Sequence, residues 1–379
     1  MAARARPDTA NRTAAGRAAA LLAWYDRNRR HLPWRAAPGT RADPYRVWLS
    51  EVMLQQTTVA AVLPRWEDFL RRFPDVAALA AAPWEELAGA WAGLGYYARA
   101  RNLHEAARRI AAGGFPADEA GWRALPGIGA YTAAAIAAIA LGQPAVAVDG
   151  NVGRVMARLH AITMPLPVAR PALARAAAGL LGEAAALARP GDAVQALFDL
   201  GASVCTPRRP ACARCPLAES CAGRAAGIAA SLPAKAAPRQ RPWLSGAAFW
   251  VEDASGQVWL RRRPPHGLLG GMLELPGSAW RADLAPAAAL KSAPVAAAWR
   301  ALGEVTHHFT HFALRLSVLA ARVAVLAPPP GSGFLLARDE VVRAGLPSVM
   351  AKAARLALAD ADADAARRPG PGRGQSGRP

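Results

Sequence analysis

The sequence predicts a two-domain protein, with a mostly α N-terminal domain followed by an α+β C-terminal domain. Three observations carry this. From about residue 13 to residue 202, apolar residues recur at helical spacing, as in residues 18–25, 45–69 and 84–94, amid many alanines, and alanine is the strongest helix former. Past a proline-rich, basic stretch at residues 231–242 the pattern changes to short strands. The chain of 379 residues also exceeds what one ordinary core supports.

Taken in order, residues 1–17 form an arginine- and alanine-rich segment expected to be a basic arm. Pro74 and Pro83 mark turns, and Gly113 with Gly114 ends a helix. The first domain is expected over residues 13–230, with a cysteine loop at 205–221 and a linker at 231–242. In the second domain, residues 243–358, segments 246–251 and 257–261 read as strands around a turn at 253–256. Segments 311–318 and 322–325 read as two more. Residues 359–379, rich in Ala, Asp, Arg, Gly and Pro, are expected to be a disordered tail.

Composition narrows the partners. Lys+Arg 46 against Asp+Glu 27 gives a net charge of +19, a field that attracts polyanions. GC-rich coding can also inflate arginine, so charge alone does not assign a partner. The longest uncharged stretch, residues 124–148, is broken by Pro126, Gly127, Gly129 and Pro144, whereas a membrane span needs about 20 apolar residues. A cytoplasmic protein, away from membranes, is the expectation.

All four cysteines fall within one loop, Cys205, Cys212, Cys215 and Cys221, spaced x6, x2, x5. Four thiolates so close suit one tetrahedral zinc or one four-iron cluster. Structural zinc usually pairs two two-residue spacings, and only one is present here. A closed four-cysteine shell leaves no open position for activating water. Arg208, Arg209 and Arg214 lie between the ligands, where they can meet phosphates.

Two carboxylates stand out. Leu125-Pro126-Gly127-Ile128-Gly129-Ala130-Tyr131-Thr132 precedes an alanine-rich helix, and such a turn aims backbone N–H groups outward as a phosphate clamp. About twenty residues on, Val148-Asp149-Gly150-Asn151 starts another helix; Asp149 reads either as a plain N-cap or as a functional carboxylate. Glu51 is the single charge in the apolar and neutral segment 48–57. A buried, unpaired carboxylate is costly or takes up a proton, so it marks a working site unless an arginine such as Arg46 pairs with it. A raised-pKa acid and a nearby carboxylate are what purine deglycosylation needs. The acid protonates the leaving base, and the carboxylate stabilises an oxocarbenium-like sugar.

Together with Leu32-Pro33-Trp34-Arg35, Gln55-Gln56-Thr57 and Gly93-Leu94-Gly95-Tyr96-Tyr97-Ala98-Arg99, these motifs resemble the adenine DNA glycosylase family of the endonuclease III, helix-hairpin-helix superfamily. The likeness runs from about residue 21 to residue 358. It implies a helix-hairpin-helix DNA glycosylase domain with a 4Fe-4S loop, plus a Nudix-like α+β domain that reads 8-oxoguanine. It further implies Glu51 as acid, Asp149 on the sugar side, Asn151 as its helper and Tyr131 as a positioning group. Trp34, Arg35 and Gln195 then wall or read the adenine pocket. Gln55, Gln56 and Tyr96 meet the duplex, the last two as wedges, and Gly127 and Gly129 hold phosphate.

The endonuclease III-like lyases of the superfamily use a Schiff-base lysine beside the hairpin, where this chain has Tyr131. The first lysine of the chain is Lys235, so the covalent route lacks its amine and a monofunctional glycosylase is expected. In the second domain, residues 263–277 match the opening of the Nudix-like module. Residues 281–303 offer only Asp283 where a working Nudix hydrolase has clustered glutamates. Phe309-Thr310-His311 takes the place of the family's Phe-Ser-His turn that reads 8-oxoguanine. The resemblance thus implies a monomeric enzyme acting on adenine opposite 8-oxoguanine or guanine in duplex DNA. The rivals are a glycosylase/lyase of the endonuclease III type and a non-catalytic iron–sulfur DNA-binding protein.

Overall fold

In the computed structural model, which describes residues 14–38, 40–236, 241–264, 267–309 and 311–367, the chain divides into two compact units, residues 1–237 and 238–379. The first is helical. It runs through α1 (Ala14–Asn28), α2 (Pro44–Leu54), α3 (Val59–Arg72), α4 (Val76–Ala81), α5 (Trp84–Ala90), α6 (Tyr97–Gly113) and α7 (Glu119–Arg123). It continues with α8 (Ala130–Ile139), α9 (Gly150–Leu159), α10 (Arg170–Leu181), α11 (Ala184–Ala188), α12 (Pro190–Ser203) and α13 (Ala222–Ala225). Local chemistry sets many of these starts. Asp43, Thr58, Asp75, Asp118 and Asp149 each cap a helix by accepting a backbone N–H. The capping by Thr58 is what divides the apolar stretch 45–69 into two helices. Gly114, at φ 81°, ends α6.

Two cores lie on either side of α8. One gathers α1, α9, α10 and α12 against Ala134, Ala135 and Ala138. The other gathers α2, α3, α6 and Trp122 of α7 against Ala133, Ile136 and Ala140. Because α8 is six-tenths alanine, helices approach it closely on opposite faces, and it is buried nearly all round. Functional groups at its N-terminus therefore sit at the seam between the two cores.

The segment expected as a free linker from residue 231 is partly tied down. Leu232 is buried in the first core, its carbonyl accepts from Arg158 Nε at 3.0 Å, and Lys235 bridges Leu166. An apolar side chain with a helix surface to bury it, and a carbonyl with a buried donor, hold this stretch against the helices.

The second unit has a mixed sheet ordered β3-β2-β1-β5-β4, with β6 also on β2. Its strands are β1 (Trp243–Asp253), β2 (Gln257–Arg262), β3 (Leu273–Glu274), β4 (Arg300–His308), β5 (Ala313–Val323) and β6 (Phe334–Ala337). After β3 comes the short α14 (Pro286–Leu290), and α15 (Ser348–Arg367) packs on the sheet. The two strands expected at 311–318 and 322–325 are one. β5 runs parallel to β1 from Trp243↔Ala313 to Asp253↔Val323, and this ladder carries it through residues 319–321. β4 escaped the sequence reading because only Val305 of it is buried, leaving no alternating apolar signal. The expected tail is also corrected in part. Residues 359–367 continue α15, where Asp360 pairs with Arg300 and Asp362 with Arg338. Alternating Ala and Asp thus remain helical where cations from β4 and from the turn after β6 meet the acids. No helix among the described residues is long and apolar enough to cross a membrane.

Candidate active site

Pro44 at the first turn and the Asp43 cap start α2, and Tyr45 anchors it by donating its hydroxyl to Phe73 O at 2.7 Å. The helix buries nearly everything from Val47 to Met53, including Glu51, only 8% exposed. Arg46, a possible partner, points to solvent. Glu51 instead faces a cleft of about 1050 Å³ that it shares with Tyr131, Asp149 and Asn151, and with Trp34, Arg35, Gln55, Gln56 and Gln195.

Burial pushes the Glu51 carboxyl up to about 7. A hydrogen bond with Tyr131 opposes this, the negative charge of Asp149 adds to it, and Arg35 opposes it weakly. Burial and the two carboxylates push the Tyr131 hydroxyl far above its ordinary range, so it stays protonated and donates to Glu51. Tyr131 opens α8, and its ring packs near Phe198 of α12, 6.0 Å between centroids.

Asp149 is an N-cap that also lines the cleft. Its Oδ1 accepts from Val152 N at 2.7 Å and caps α9, while Oδ2 accepts from Asn151 Nδ2 at 2.8 Å on the cleft side. Asn151 Oδ1 in turn accepts from Arg154 Nη2 at 2.8 Å. Arg154 also donates to Gly201 O and, through Nε, to Cys205 O at 2.8 Å. The carboxylate is thus oriented from the start of the cysteine loop. Gly201 permits the close approach, since a Cβ there would stand 2.6 Å from Asn151 Cβ.

Other residues singled out in the sequence fall variously. Trp34 is 7% exposed and packs edge-on against Trp66 in the second core, so it is core and cleft wall at once. Both Nη atoms of Arg35 are bound by Asp199, at 2.6 and 2.8 Å, and Arg30 adds two more donors to the same carboxylate. Burial opposes ionisation of Asp199, yet these arginines outweigh it and hold the carboxyl below its ordinary value. Gln55 donates to Thr132 Oγ1 at 3.2 Å, and Gln195 to Gly191 O at 3.1 Å.

Tyr96, 60% exposed, stands outside the cleft lining in the left-handed conformation, as does Gln56 within it. Between α7 and α8, Gly127 needs its φ of 75°, and a Cβ there would press on Asn102. Gly129 leads into α8 without a side-chain cap, leaving the first N–H groups of that helix for an anion. Asp199 and Arg99 were missed by the sequence reading. The first had only its helical spacing from Gln195 to mark it; the second lay in a quoted motif without a role.

The four cysteines surround one small cavity of about 30 Å³ beside Arg158. Among the described residues, no three of them are drawn together as a single-ion site. Arg158, 2% exposed, donates through Nη1 to Cys205 Sγ at 3.4 Å and to Thr206 O, and through Nη2 to Pro207 O. A buried guanidinium against sulfur suits anionic thiolates, so the donor set fits a thiolate-bound metal group. Arg208, Arg209 and Arg214 are exposed on the same loop. Replacing Cys215 with serine is expected to lower bound iron, and to drop the melting temperature by about 5 °C or more. Iron assay and thermal denaturation of the purified variant check this.

In the second unit, Phe309 is half-buried in an aromatic group with His307, Trp280 and Phe312, the last stacked at 4.7 Å. Its N–H donates to Phe312 O at 2.9 Å and closes a tight turn on which His311 is exposed. Phe309 therefore packs on the core as well as bordering the turn. Thr310 lies outside the described residues.

Three family models match the chain: the HhH-GPD superfamily base excision DNA repair protein over residues 49–172, the iron–sulfur binding domain of endonuclease III over 205–221, and the NUDIX domain over 247–356. The cysteine loop is accordingly an iron–sulfur site. The adenine DNA glycosylase of Homo sapiens is 36% identical over 403 residues, covering 89% of this chain and 73% of that protein. The enzyme of the same name from Mycobacterium tuberculosis is 42% identical over 229 residues, covering 60% and 72%. The solved structure of a thermostable thymine-DNA glycosylase matches with a TM-score of 0.50 at 28% identity, over 58% of this chain and all of that one. With these three models matched in order and a relative 36% identical that is covered to 73% of its length, the chain belongs to the adenine DNA glycosylase family.

Proposed function

We propose that the protein hydrolyses the N-glycosidic bond of adenine mispaired with 8-oxoguanine or guanine in duplex DNA, acting as a monomer and without a lyase step. The carrying observation is Glu51, a buried acid that holds its proton to about pH 7 in the same cleft as Asp149. Adenine is a poor leaving group until protonated. Glu51 delivers a proton to an imidazole-ring nitrogen, and the bonding pair of the C1′–N9 bond leaves with the base. The cation left on the sugar is met by Asp149, and Glu51 then takes a proton from the attacking water.

Tyr131 holds the Glu51 carboxyl in place, and Asn151 holds Asp149. Trp34, Arg35 and Gln195 shape the adenine pocket, with Gln55 at its edge. Gln56 and Tyr96 enter the duplex as the base leaves it, which costs a few kcal/mol that filling the gap offsets in part. The turn at Gly127 and Gly129 holds phosphate. Phe309, Thr310 and His311 read the base opposite adenine. The loop of Cys205, Cys212, Cys215 and Cys221 holds a 4Fe-4S cluster; four thiols around a cavity suit it better than zinc, whose four ligands must meet at one point. It serves as scaffold for the exposed arginines between its ligands.

The first test is single-turnover cleavage of a duplex with adenine opposite 8-oxoguanine, with strand breakage scored before and after alkali. Adenine loss with breakage only after alkali is expected. Breakage without alkali would reveal a lyase nucleophile and overturn the monofunctional reading. Replacing the exposed His311 by alanine should cut the rate preference for 8-oxoguanine over guanine about 3- to 10-fold, the worth of one hydrogen bond. The same assay on both mispairs measures it.

A further inference from the structure

Two of the four non-glycine residues in the left-handed conformation among the described residues flank the cleft helices, Gln56 at φ 54° in the turn after α2 and Tyr96 at φ 49° in the turn before α6. Such backbone persists only where surrounding contacts hold it. One side chain reaches both turns. Arg99, 8% exposed, donates through Nη1 to Val52 O at 2.8 Å and Met53 O at 3.0 Å, in the last turn of α2. Through Nη2 it donates to Thr57 Oγ1 at 3.0 Å, and to Leu94 O at 2.9 Å and Gly95 O at 3.2 Å on the other turn. Thr57 Oγ1 also reaches toward Leu94 O, and Trp91 Nε1 donates to Gly95 O at 3.0 Å. The guanidinium carbon lies 5.3 Å from the Trp91 ring and 5.6 Å from the Tyr96 ring.

We propose that Arg99 is a positioning residue that locks the turns of Gln56 and Tyr96 into one preformed edge, so that both enter the duplex together when adenine is extruded. This rests on the reading of Gln56 and Tyr96 as the groups that enter the duplex. Arg99 itself is not a DNA contact, because its Nη donors are turned inward onto carbonyls and a hydroxyl. Its position suits the end of α2, where unpaired carbonyls and the helix dipole favour a cation. Lysine cannot replace it: an ammonium is a point donor on a flexible stem and cannot bridge two turns as a planar fork does. Preorganisation of this kind lowers the barrier to extrusion and leaves the chemistry of Glu51 and Asp149 untouched.

The test compares Arg99→Lys and the milder Thr57→Val with wild type on two duplexes at saturating enzyme. In one, the target adenine faces guanine; in the other it faces an abasic-site analogue, where no opposing base need be unpaired. On the mispaired duplex, excision should fall about 10- to 100-fold for Arg99→Lys and about 3-fold or more for Thr57→Val. On the abasic duplex both losses should shrink severalfold. The fluorescence rise of 2-aminopurine at the target position should fall in parallel, with iron content unchanged. An equal loss on both duplexes would mean a merely structural role and would overturn the proposal. Tyr96→Ser and Gln56→Ala are run alongside. If these show no duplex-dependent loss, the reading of the two wedges fails and the proposal with it. If they show it while Arg99→Lys and Thr57→Val do not, the role of Arg99 alone is refuted.

Discussion

Replacing Glu51 by glutamine is expected to lower single-turnover adenine excision by on the order of 10³-fold, the usual scale of a lost general acid. The amide keeps the shape of the carboxyl but has no proton to deliver. In the wild type, the same group predicts a rate that declines as pH rises through about 7, where burial no longer keeps Glu51 protonated. A pH–rate profile that stays flat from pH 6 to pH 9 under single-turnover conditions would contradict this.

In Glu51→Gln, stability should move opposite to activity. The folded-state value for Glu51 lies above its ordinary 4.5, so the folded protein binds this proton more tightly than the unfolded chain. Its contribution is complete below about 4.5 and is lost as pH rises through about 7. At pH 8, wild type must bury a charge that Glu51→Gln lacks. The variant should therefore be more stable there by about 1–3 kcal/mol, with little difference at pH 4. Denaturant melts at the two pH values measure this. An inactive variant that is also more stable marks a residue kept for chemistry at the expense of the fold.

The second large effect is expected at Asp149, and here the substitution separates two duties. Asparagine caps helices about as well as aspartate, so Asp149→Asn should keep α9 and change stability by less than about 0.5 kcal/mol. It also loses the negative charge needed opposite a cationic sugar, and excision should fall by on the order of 10³-fold. Asp149→Ala should lose the cap as well and cost about 1 kcal/mol more in stability. Near-normal excision by Asp149→Asn would show that capping is all this residue does. DNA binding measured by titration should survive in Asp149→Asn, since the turn at Gly127 and Gly129 proposed to hold phosphate is untouched.

Much of the site was legible in the primary structure because it is written in local chemistry. Four cysteines in one loop, a Pro-Gly-x-Gly turn before a helix, an aspartate at a helix start and one acid in an apolar helix depend on neighbours a few residues away. The absence of lysine before Lys235 is likewise a fact of sequence, and it underlies the expectation of a monofunctional enzyme. The strands were less legible. β4 buries too little to show a period, and β5 is held as one strand by its partner β1 rather than by its own residues. Likewise, α15 runs on to Arg367 where acids in it meet arginines distant in sequence, Arg300 of β4 and Arg338 just after β6.

By itself, then, the sequence determined which groups are the candidates for chemistry: Glu51, Tyr131, Asp149 and the four thiols, together with the helix starts that hold several of them. Only the tertiary structure decided that Glu51, Tyr131 and Asp149 line one cleft. Glu51 belongs to one core and the helix capped by Asp149 to the other, and the alanine-rich α8, thin enough to be packed from both sides, brings its Tyr131 between them. It also decided the proton affinity of Glu51 and the engagement of Arg35 by Asp199, and it made Arg99 the link between two turns. Burial and long-range hydrogen bonds depend on which surfaces meet, and no spacing within a single segment records that.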